Sequence, residues 1–541
     1  MFVQITKSGH GKKEYVSYLV RESFRTPKGP RSRTVCNITG LPSEVRDQVA
    51  EALRGHALVP VHQLRLENAL NYGGLAVLRD AWNRFGMDSL LQDIPSAHER
   101  GLIQAMIFAR LLFPCAKLAL AQQAQGTLLA GACGLPADES FDEDDLYGAM
   151  DQFSGRWVGM EKALYQNAFP QPVRLVLYDL TSVYFEGKGP KGLSQYGHSR
   201  DHRPDRPQII LAVATDLEGT PIHLEVLRGN RPDNTTLIGI LTTLQRRFQI
   251  KEAMFVFDGG MSSRLNLEAI SAARLEYVTR LSSASFTALL EDLPKENQPE
   301  LGDRLNLVEV QHEDKRYVIA GGPWRQQRDQ QRRQCRVQKA TLELTRLAAV
   351  PRKKVDAQKL ASQVGRMLER KKAHKYFSYR VDPRGLLIWE LKKEVVSQEE
   401  QVDGWYLLHT NASQQKVSKE QVLGHYKGLL DIEEAFGDLK SYMEVRPVFH
   451  WRPDRVRNHV RICFLAYWLS ARLGRQWRTK KEPGEVPRIL RELQTIRVGR
   501  VRAAGKLVAT LLTEIPPNLN EQLTKLDLLK LFSQPPDWAA L

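Results

Sequence analysis

The chain opens on period-two alternation of apolar and polar residues. "EYVSYLVRESFR" and "SRTVCNIT" read as strands joined by the turn "TPKGPR". From about 44 to 168 the period lengthens, and "EVRDQVAEALRG", "LRLENALNYGGLAVLRDAWNRFG", "LIQAMIFARLL" and "DLYGAMDQF" read as amphipathic helices. At 173 short apolar runs return. "VRLVLYDLTSVYFEG", "PQIILAVATD" and "TPIHLEVLRG" predict strands, followed by a helix over "NTTLIGILTTLQRRF" capped by Asn234, Thr235 or Thr236. "EAMFVFDGG" is a strand ending in Asp-Gly, "SSRLNLEAISAAR" a helix and "EYVTRL" another strand. Three strands, a helix, a strand, a helix and a strand specify an α/β core with a mixed sheet.

From about 283 that rhythm stops. The strand-like pieces "NLVEVQ", "RYVIAGG", "YFSYRV", "GLLIWEL" and "GWYLLHT" bracket a helical stretch over 325–375. There Lys and Arg outnumber Asp and Glu roughly four to one, which suits either a surface facing a polyanion or a solvated helical arm. Two helices follow, "EQVLGHYKGLLDIEEAFGDLKSYM" and "RVRNHVRICFLAYWLSARLG", then a basic tail with Pro-rich stretches. The expected division is a small β/α region (1–60), a helical DNA-binding or assembly region (61–168), a core in two parts (169–282 and 416–475) around a β-rich insertion (283–415), and a basic C-terminal tail (476–541).

Composition narrows the partner. The 541 residues carry a formal charge of +16, which favours a polyanion such as nucleic acid over a neutral ligand. "ICFLAYWLSARL" is too short to span a bilayer and is flanked by arginines, and the start lacks a signal peptide's apolar core. No membrane partner is expected. Five widely spaced cysteines with no CxxC suit a reducing compartment and argue against a structural zinc. A cytoplasmic, nucleoid-associated protein is expected.

Candidate chemistry begins with the adjacent glutamates of "DIEEAFGDLK". On a helical wheel over 422–443, Leu429, Ile432, Phe436, Leu439 and Met443 form one apolar seam. Glu434 falls opposite the seam with Asp438 nearby, whereas Glu433 lands at its edge, in one stripe with Tyr426 and Lys440. A carboxylate at the border of a core needs a partner or a metal; a structural network with Tyr426 and Lys440 is the plainer reading of this helix alone. Two further acids shift the balance. Asp179 sits inside the apolar strand "LVLYDLTSV", against strand preference. Asp258 ends "MFVFDGG", at the strand end where open α/β sheets place ligands, although an Asp before Gly is also a common turn. Three carboxylates meeting there suit Mg²⁺ or Mn²⁺, and two such ions serve phosphoryl transfer.

These features resemble the DDE transposases of bacterial insertion sequences, specifically the "insertion sequence four" group and its relatives. "YKGLLDIEEAFGDLK" supplies Tyr426, Glu433 and Lys440 at the spacing of that group's Tyr-Arg-Glu-Lys signature, with Leu429 in the Arg position. "YDLTSVYFEG" is similar to the first-Asp strand and "YGHSRDHRPDRPQIILAVATD" to the segment after it. "FDGGMSSRLNL" is similar to the second-Asp block, with Gly259 where an Arg is often found, and "EVRPVFHW" to the stretch after the Glu helix. The resemblance implies an RNase H-like mixed-sheet catalytic core with a β-rich insertion domain, here beside a mainly helical N-terminal region. It implies that Asp179, Asp258 and Glu433 are the catalytic residues and the ligands of two Mg²⁺ ions, with Mn²⁺ able to substitute. It implies double-stranded DNA as partner, both terminal inverted repeats and target, and a homodimer in the synaptic complex. It implies a reaction in which water cuts the 3′ strand at the element's end and the freed 3′-OH attacks target DNA. DNA contacts are expected from Tyr426 and Lys440, from His202, Arg203 and Arg206 in the loop after the first strand, and from Arg332, Arg333, Lys353 and Lys354 in the basic insertion. Some relatives hold a flipped base on insertion aromatics; Trp324, Trp389 and Trp405 are candidates, with core packing the favoured role for each.

Other signals fall away. "EGKGPKGLSQYG" lacks the GxxxxGK[ST] of a nucleotide-binding loop, and His198 and His202 lie in a turn-rich context with Pro204, not on a zinc-binding helix. The rival functions are an inactivated transposase kept as a DNA-binding regulator, another RNase H-like nuclease, and a glycosidase with paired carboxylates. The basic charge disfavours the last, and three retained acids disfavour the first.

Overall fold

The computed structural model describes residues 1–541 except 11–12, 57, 59–60, 137–139, 202, 294–305, 350–356, 383–384, 438, 441–442, 447, 481–484, 504, 536 and 540–541, and describes no side chain at 10, 13–14, 61, 68, 431, 434–435 or 539. The chain begins with an antiparallel sheet of β1 (Phe2–His10), β2 (Lys13–Thr26) and β3 (Gly29–Asn37). The β2–β3 pair and its turn follow the alternation. β1 joins them through cross-strand pairs such as Val3 with Val20 and Ile5 with Tyr18.

"LRLENALN" overturns a helical expectation. It forms β4 (Leu64–Asn71), paired with a strand near the other end of the chain. Its leucines, Leu64, Leu66 and Leu70, also fall two and four residues apart, so the pattern fits a strand once a partner edge exists. The helices Gly73–Arg84, Ala97–Leu112, Lys117–Ala124, Glu143–Asp151 and Trp157–Ala168 then build the helical N-terminal region around Trp82, Phe108 and Phe153. No single helix among the described residues is long and apolar enough to cross a membrane.

The core follows the expected alternation of elements. β5 (Leu175–Tyr184), β6 (Gln208–Thr215) and β7 (Pro221–Arg228) form an antiparallel meander. The helix Leu237–Phe248 leads to β8 (Met254–Phe257), and the helix Arg264–Ala272 to β9 (Glu276–Arg280). β8 lies parallel to β5, and β9 parallel to β8. The spatial order β7-β6-β5-β8-β9, with these directions, is that of an RNase H-like core.

The insertion is tied into this sheet rather than set beside it. β10 (Asn306–His312) and β11 (Lys315–Gly321) pair as a hairpin. A separate hairpin, β12 (Phe377–Val381) with β13 (Leu387–Leu391), packs with the helices Pro323–Ala349 and Ala357–Arg370 around Leu344, Val364, Leu368 and Tyr376. β14 (Trp405–Thr410) then docks antiparallel on both β9 and β11, so one eight-stranded sheet runs β10-β11-β14-β9-β8-β5-β6-β7.

Residues 476–541 are not a loose tail. The helix Val486–Leu493 buries Val486, Ile489, Leu490 and Leu493, and β15 (Arg497–Ala503) pairs with both β16 (Lys506–Leu512) and β4. The helix Pro453–Thr479 joins the two halves, because its Phe464, Leu465 and Trp468 pack in the same core as Trp82 and Phe108 on one side and Leu177 and Val256 on the other. Glu161 adds a polar key. Fully buried, it accepts from the Leu224 backbone N–H at 3.2 Å and pairs with His223 at 2.8 Å and with Arg247, linking the N-terminal helices to β7.

Candidate active site

Strand register places the first two acids. Tyr178 of β5 lies level with Phe257 of β8, so the next residues along, Asp179 and Asp258, are neighbours across two parallel strands, about 4.8 Å apart at the backbone. Phe257 in turn lies level with Thr279 of β9, which puts Arg280 beside Asp258. Tyr178 and Phe257 point into the core beneath the helices Leu237–Phe248 and Arg264–Ala272. By alternation Asp179 and Asp258 face the other way, on the side of Leu177 and Val256. Gly259 permits this crowding: a Cβ there would stand 2.6 Å from the Arg280 carbonyl oxygen.

The Glu helix covers that same face. The helix Lys419–Lys427 starts at a capping box, with Ser418 accepting from the Gln421 N–H and the Gln421 side chain accepting from the Ser418 N–H. It stops at Gly428 and resumes as the helix Leu429–Gly437, so the single helix expected over 422–443 is two. Gly428 sits against the sheet, where a Cβ would lie 2.8 Å from Leu217 and 3.4 Å from Leu177. The apolar seam lands as expected, with Ile432, Phe436, Leu439 and Met443 buried. Glu433 does not. Expected half-buried, it is exposed to the cleft, because the seam is narrow enough to leave its edge open. Glu434 and Asp438 have no described side chain. Tyr426 donates to Asp258 Oδ1 at 3.4 Å, bridging the helix to the strand end.

These groups line one cleft of about 1250 Å³. Five carboxylates face it: Asp179, Asp201, Asp233, Asp258 and Glu433. Two are neutralised. Asp201 Oδ1 accepts from Lys440 at 2.6 Å and lies 2.7 Å from Arg446, and Asp233 pairs with Arg200 at 2.6 Å. Among the described residues no Lys or Arg forms an ion pair with Asp179, Asp258 or Glu433. Asp179 accordingly holds its proton up to about 7, raised chiefly by burial and further by Asp258 and Glu433, against the Leu180 N–H and Arg200. The three are near enough to feel each other's charge, yet among the described residues no three His, Cys, Asp or Glu side chains stand closely enough to cage an ion as they are. The donor set is all carboxylate oxygen, the chemistry of a hard divalent cation, and a cation is what would relieve its mutual repulsion.

The remaining expected residues divide. Arg332 is exposed on the rim of the cleft. Arg333 is a correction: it is buried and grips Asp403 with two bonds of 2.6 Å, turned inward by the helical period that sends its neighbour out. Arg203 and Arg206 lie outside the cleft lining in local pairs, Arg203 with Asp205 at 2.9 Å and Arg206 with Glu186 at 3.1 Å. His202, Lys353 and Lys354 lie outside the described residues. Trp405 is buried and Trp389 packs edge-on against Phe377, as core residues do. Trp324 departs from the favoured core role: it is 72% exposed and lines the cleft. The sequence reading missed Asp201, Arg280, Arg325, Arg328, Tyr406 and Arg446 as cleft residues. Only Asp201 and Arg446 lie within stretches that the motifs single out, "SRDHRPDR" and "EVRPVFHW".

No curated protein matches the sequence. Among solved structures, the chain is similar to the piggyBac transposase synaptic complex with hairpin DNA, seen by cryo-EM, at 10% identity over 74% of this chain and 71% of that one with a TM-score of 0.37. It is also similar to the Mos1 transposase paired-end complex with left transposon end, at 14% identity over 44% and 68% with a TM-score of 0.15. The family model described as "Transposase DDE domain" matches residues 171–469, which is more than half of the chain and contains β5, β8 and the Glu helix. By that match the chain belongs to the transposase DDE domain family, and is a DNA transposase in fold and kind.

Proposed function

We propose that this protein cuts the ends of an insertion sequence and joins them to target DNA by two-metal phosphoryl transfer, with Asp179, Asp258 and Glu433 as the catalytic carboxylates. The observation that carries the reading is selective pairing: of five acids in an arginine-rimmed cleft, only these three lack a cationic partner among the described residues. Mg²⁺, or Mn²⁺ in its place, held by these carboxylates would neutralise charge on the attacking and leaving oxygens.

The chain's own groups do the positioning. Asp179 and Asp258 project from a rigid sheet, which holds them to one geometry while Glu433 approaches from a helix packed on that sheet. Tyr426 orients Asp258 through its hydroxyl. Lys440 and Arg446, held together on Asp201, set two positive charges at one wall for a backbone phosphate. In the first step water attacks the phosphorus at the element's end and the bond to the 3′ oxygen breaks, leaving a 3′-OH. In the second that hydroxyl attacks a target phosphodiester in line, expelling the target's own 3′ oxygen. Joining two ends requires two copies of the cleft, so the active form is at least a homodimer, working on DNA in the cytoplasm.

Glu433→Gln tests the reading. Nicking of a duplex carrying the DNA that flanks the coding region, with Mg²⁺ present, should fall by at least ~10³-fold while binding of that duplex persists. Glu434→Gln should nick at close to the wild-type rate. Equal loss from both variants, or full activity in Glu433→Gln, would refute it.

A further inference from the structure

The acid row across the central parallel strands ends in a cluster of arginines. Arg280 follows Asp179 and Asp258 on the next parallel strand. Opposite it, the insertion helix Pro323–Ala349 begins with Trp324, Arg325 and Arg328, all lining the same cleft. The Arg325 guanidinium lies over the Tyr406 ring, 4.6 Å from its centre, and that of Arg328 over Trp324 at 4.9 Å. These rings fix the direction of both side chains without neutralising them. The Nε atoms of Arg325 and Arg328 are buried and have no hydrogen-bond partner. One acid is near, Asp329, whose oxygens stand 3.6 Å from Arg325 and 3.8 Å from Arg328, beyond hydrogen-bonding reach. Burial and the neighbouring Arg280 both make Arg325 a weaker cation than usual, with Asp329 opposing and Arg328 adding to the effect.

A half-buried cluster of three guanidiniums beside one carboxylate, with two buried Nε donors unmatched, is costly unless an anion completes it. We propose that Arg280, Arg325 and Arg328 form a phosphate-binding subsite of the cleft, which takes a DNA phosphodiester next to the one at the carboxylates. The subsite rests on the transposase reading, and it is distinct from the wall formed by Lys440 and Arg446. It also gives the insertion a task in the cleft: its helix start brings guanidinium donors over strands of which β9 supplies Arg280. The phosphate belongs either to the element's end or to target DNA, and both present the same oxygens.

Arg325→Gln and Arg328→Gln, singly and together, separate the possibilities. The first probe is a duplex of the DNA flanking the coding region, with binding measured across a salt series. The second is strand transfer of a pre-cut end into a supercoiled plasmid. If the subsite holds end DNA, the slope of log affinity against log salt becomes shallower by about 0.9 for each phosphate that is no longer neutralised. If it holds target DNA, end binding keeps its slope and transfer into plasmid falls by at least ~10-fold. In either case the DNA-free variants should melt no lower than wild type, because an uncompensated charge has been removed. Unchanged end-binding slope together with unchanged transfer overturns the subsite, and so does a lowered melting temperature with unchanged DNA binding, which marks packing residues. Wild type and Asp179→Asn serve as controls on the underlying reading. If wild type itself fails to nick or transfer, that reading fails and the subsite with it; if wild type acts and Asp179→Asn does not, a null result in the arginine variants counts against the subsite alone.

Discussion

Gly259 is small because the C-terminal ends of β8 and β9 approach too closely for a side chain, with a built Cβ falling 2.6 Å from the Arg280 carbonyl oxygen. That oxygen is main chain and cannot swing aside. Gly259→Ala is therefore expected to lower unfolding free energy by about 1–3 kcal/mol and to slow nicking as well, since relief of the clash moves Asp258, Arg280 or both. Urea unfolding and a nicking assay on one preparation check both effects; a stable, fully active variant would show that the strand ends yield freely. Asp201 illustrates the opposite use of a carboxylate. With its side chain 3% exposed and one oxygen shared by Lys440 and Arg446, it is a holder of cations, not a reagent. Residue type alone does not separate Asp201 from Asp179, because the difference lies in what stands within 3 Å of each.

Among the elements, the segment after the Glu helix depends on the N-terminal helices. Arg110 of the helix Ala97–Leu112 donates to the carbonyls of Met443 and Glu444, each at 3.2 Å. Lys117, first residue of the helix Lys117–Ala124, is buried and bonds His459 Nδ1 at 3.1 Å, while His459 Nε2 donates to the Val445 carbonyl at 3.2 Å. Burial, with Arg110 beside it, brings Lys117 down to about 7. An unfolded lysine keeps its proton to ~10.4. Above pH 7 the folded chain thus binds fewer protons than the unfolded one, so this group's contribution rises with pH and is lost as pH falls through 7. Between pH 7.5 and 8.5 stability should gain about 1 kcal/mol per pH unit from Lys117, on top of whatever slope the other groups give both proteins. Lys117→Met should remove that increment, read from urea midpoints across pH. An identical pH slope in both proteins would place the proton elsewhere.

At the scale of the whole molecule, the two ends of the chain close on each other. β15 pairs with β4, the Tyr72 hydroxyl donates to the Leu531 carbonyl at 2.7 Å, and the Tyr72 ring meets Trp538 and Phe532. Truncation after 475 should therefore not trim a dispensable tail. It should strip β4 of its partner, open the core at Tyr72 and Leu75, and speed tryptic cleavage within the helix Gly73–Arg84; limited proteolysis of the two lengths checks this, and equal resistance would refute it. The same closure explains which expectations held. The core elements from 175 to 280 are legible in order from the chain, because each buries one face against its immediate neighbours and local periodicity reports a buried face directly. The buried seam of Ile432, Phe436, Leu439 and Met443 comes from the same source, 3.6 residues per turn, and the proposal of Glu433 over Glu434 is built on that seam. What periodicity does not report is the identity of a distant partner. β4 is a strand only because β15 offers an edge, Arg333 is structural only because Asp403 stands beneath it, and Trp324 is exposed only because the helix start overhangs the cleft. Residue order was enough for the core's succession of elements and for its three candidate carboxylates. Which charges are spent on one another was settled only by folding, because pairing depends on distances across the fold and not on spacing along the chain.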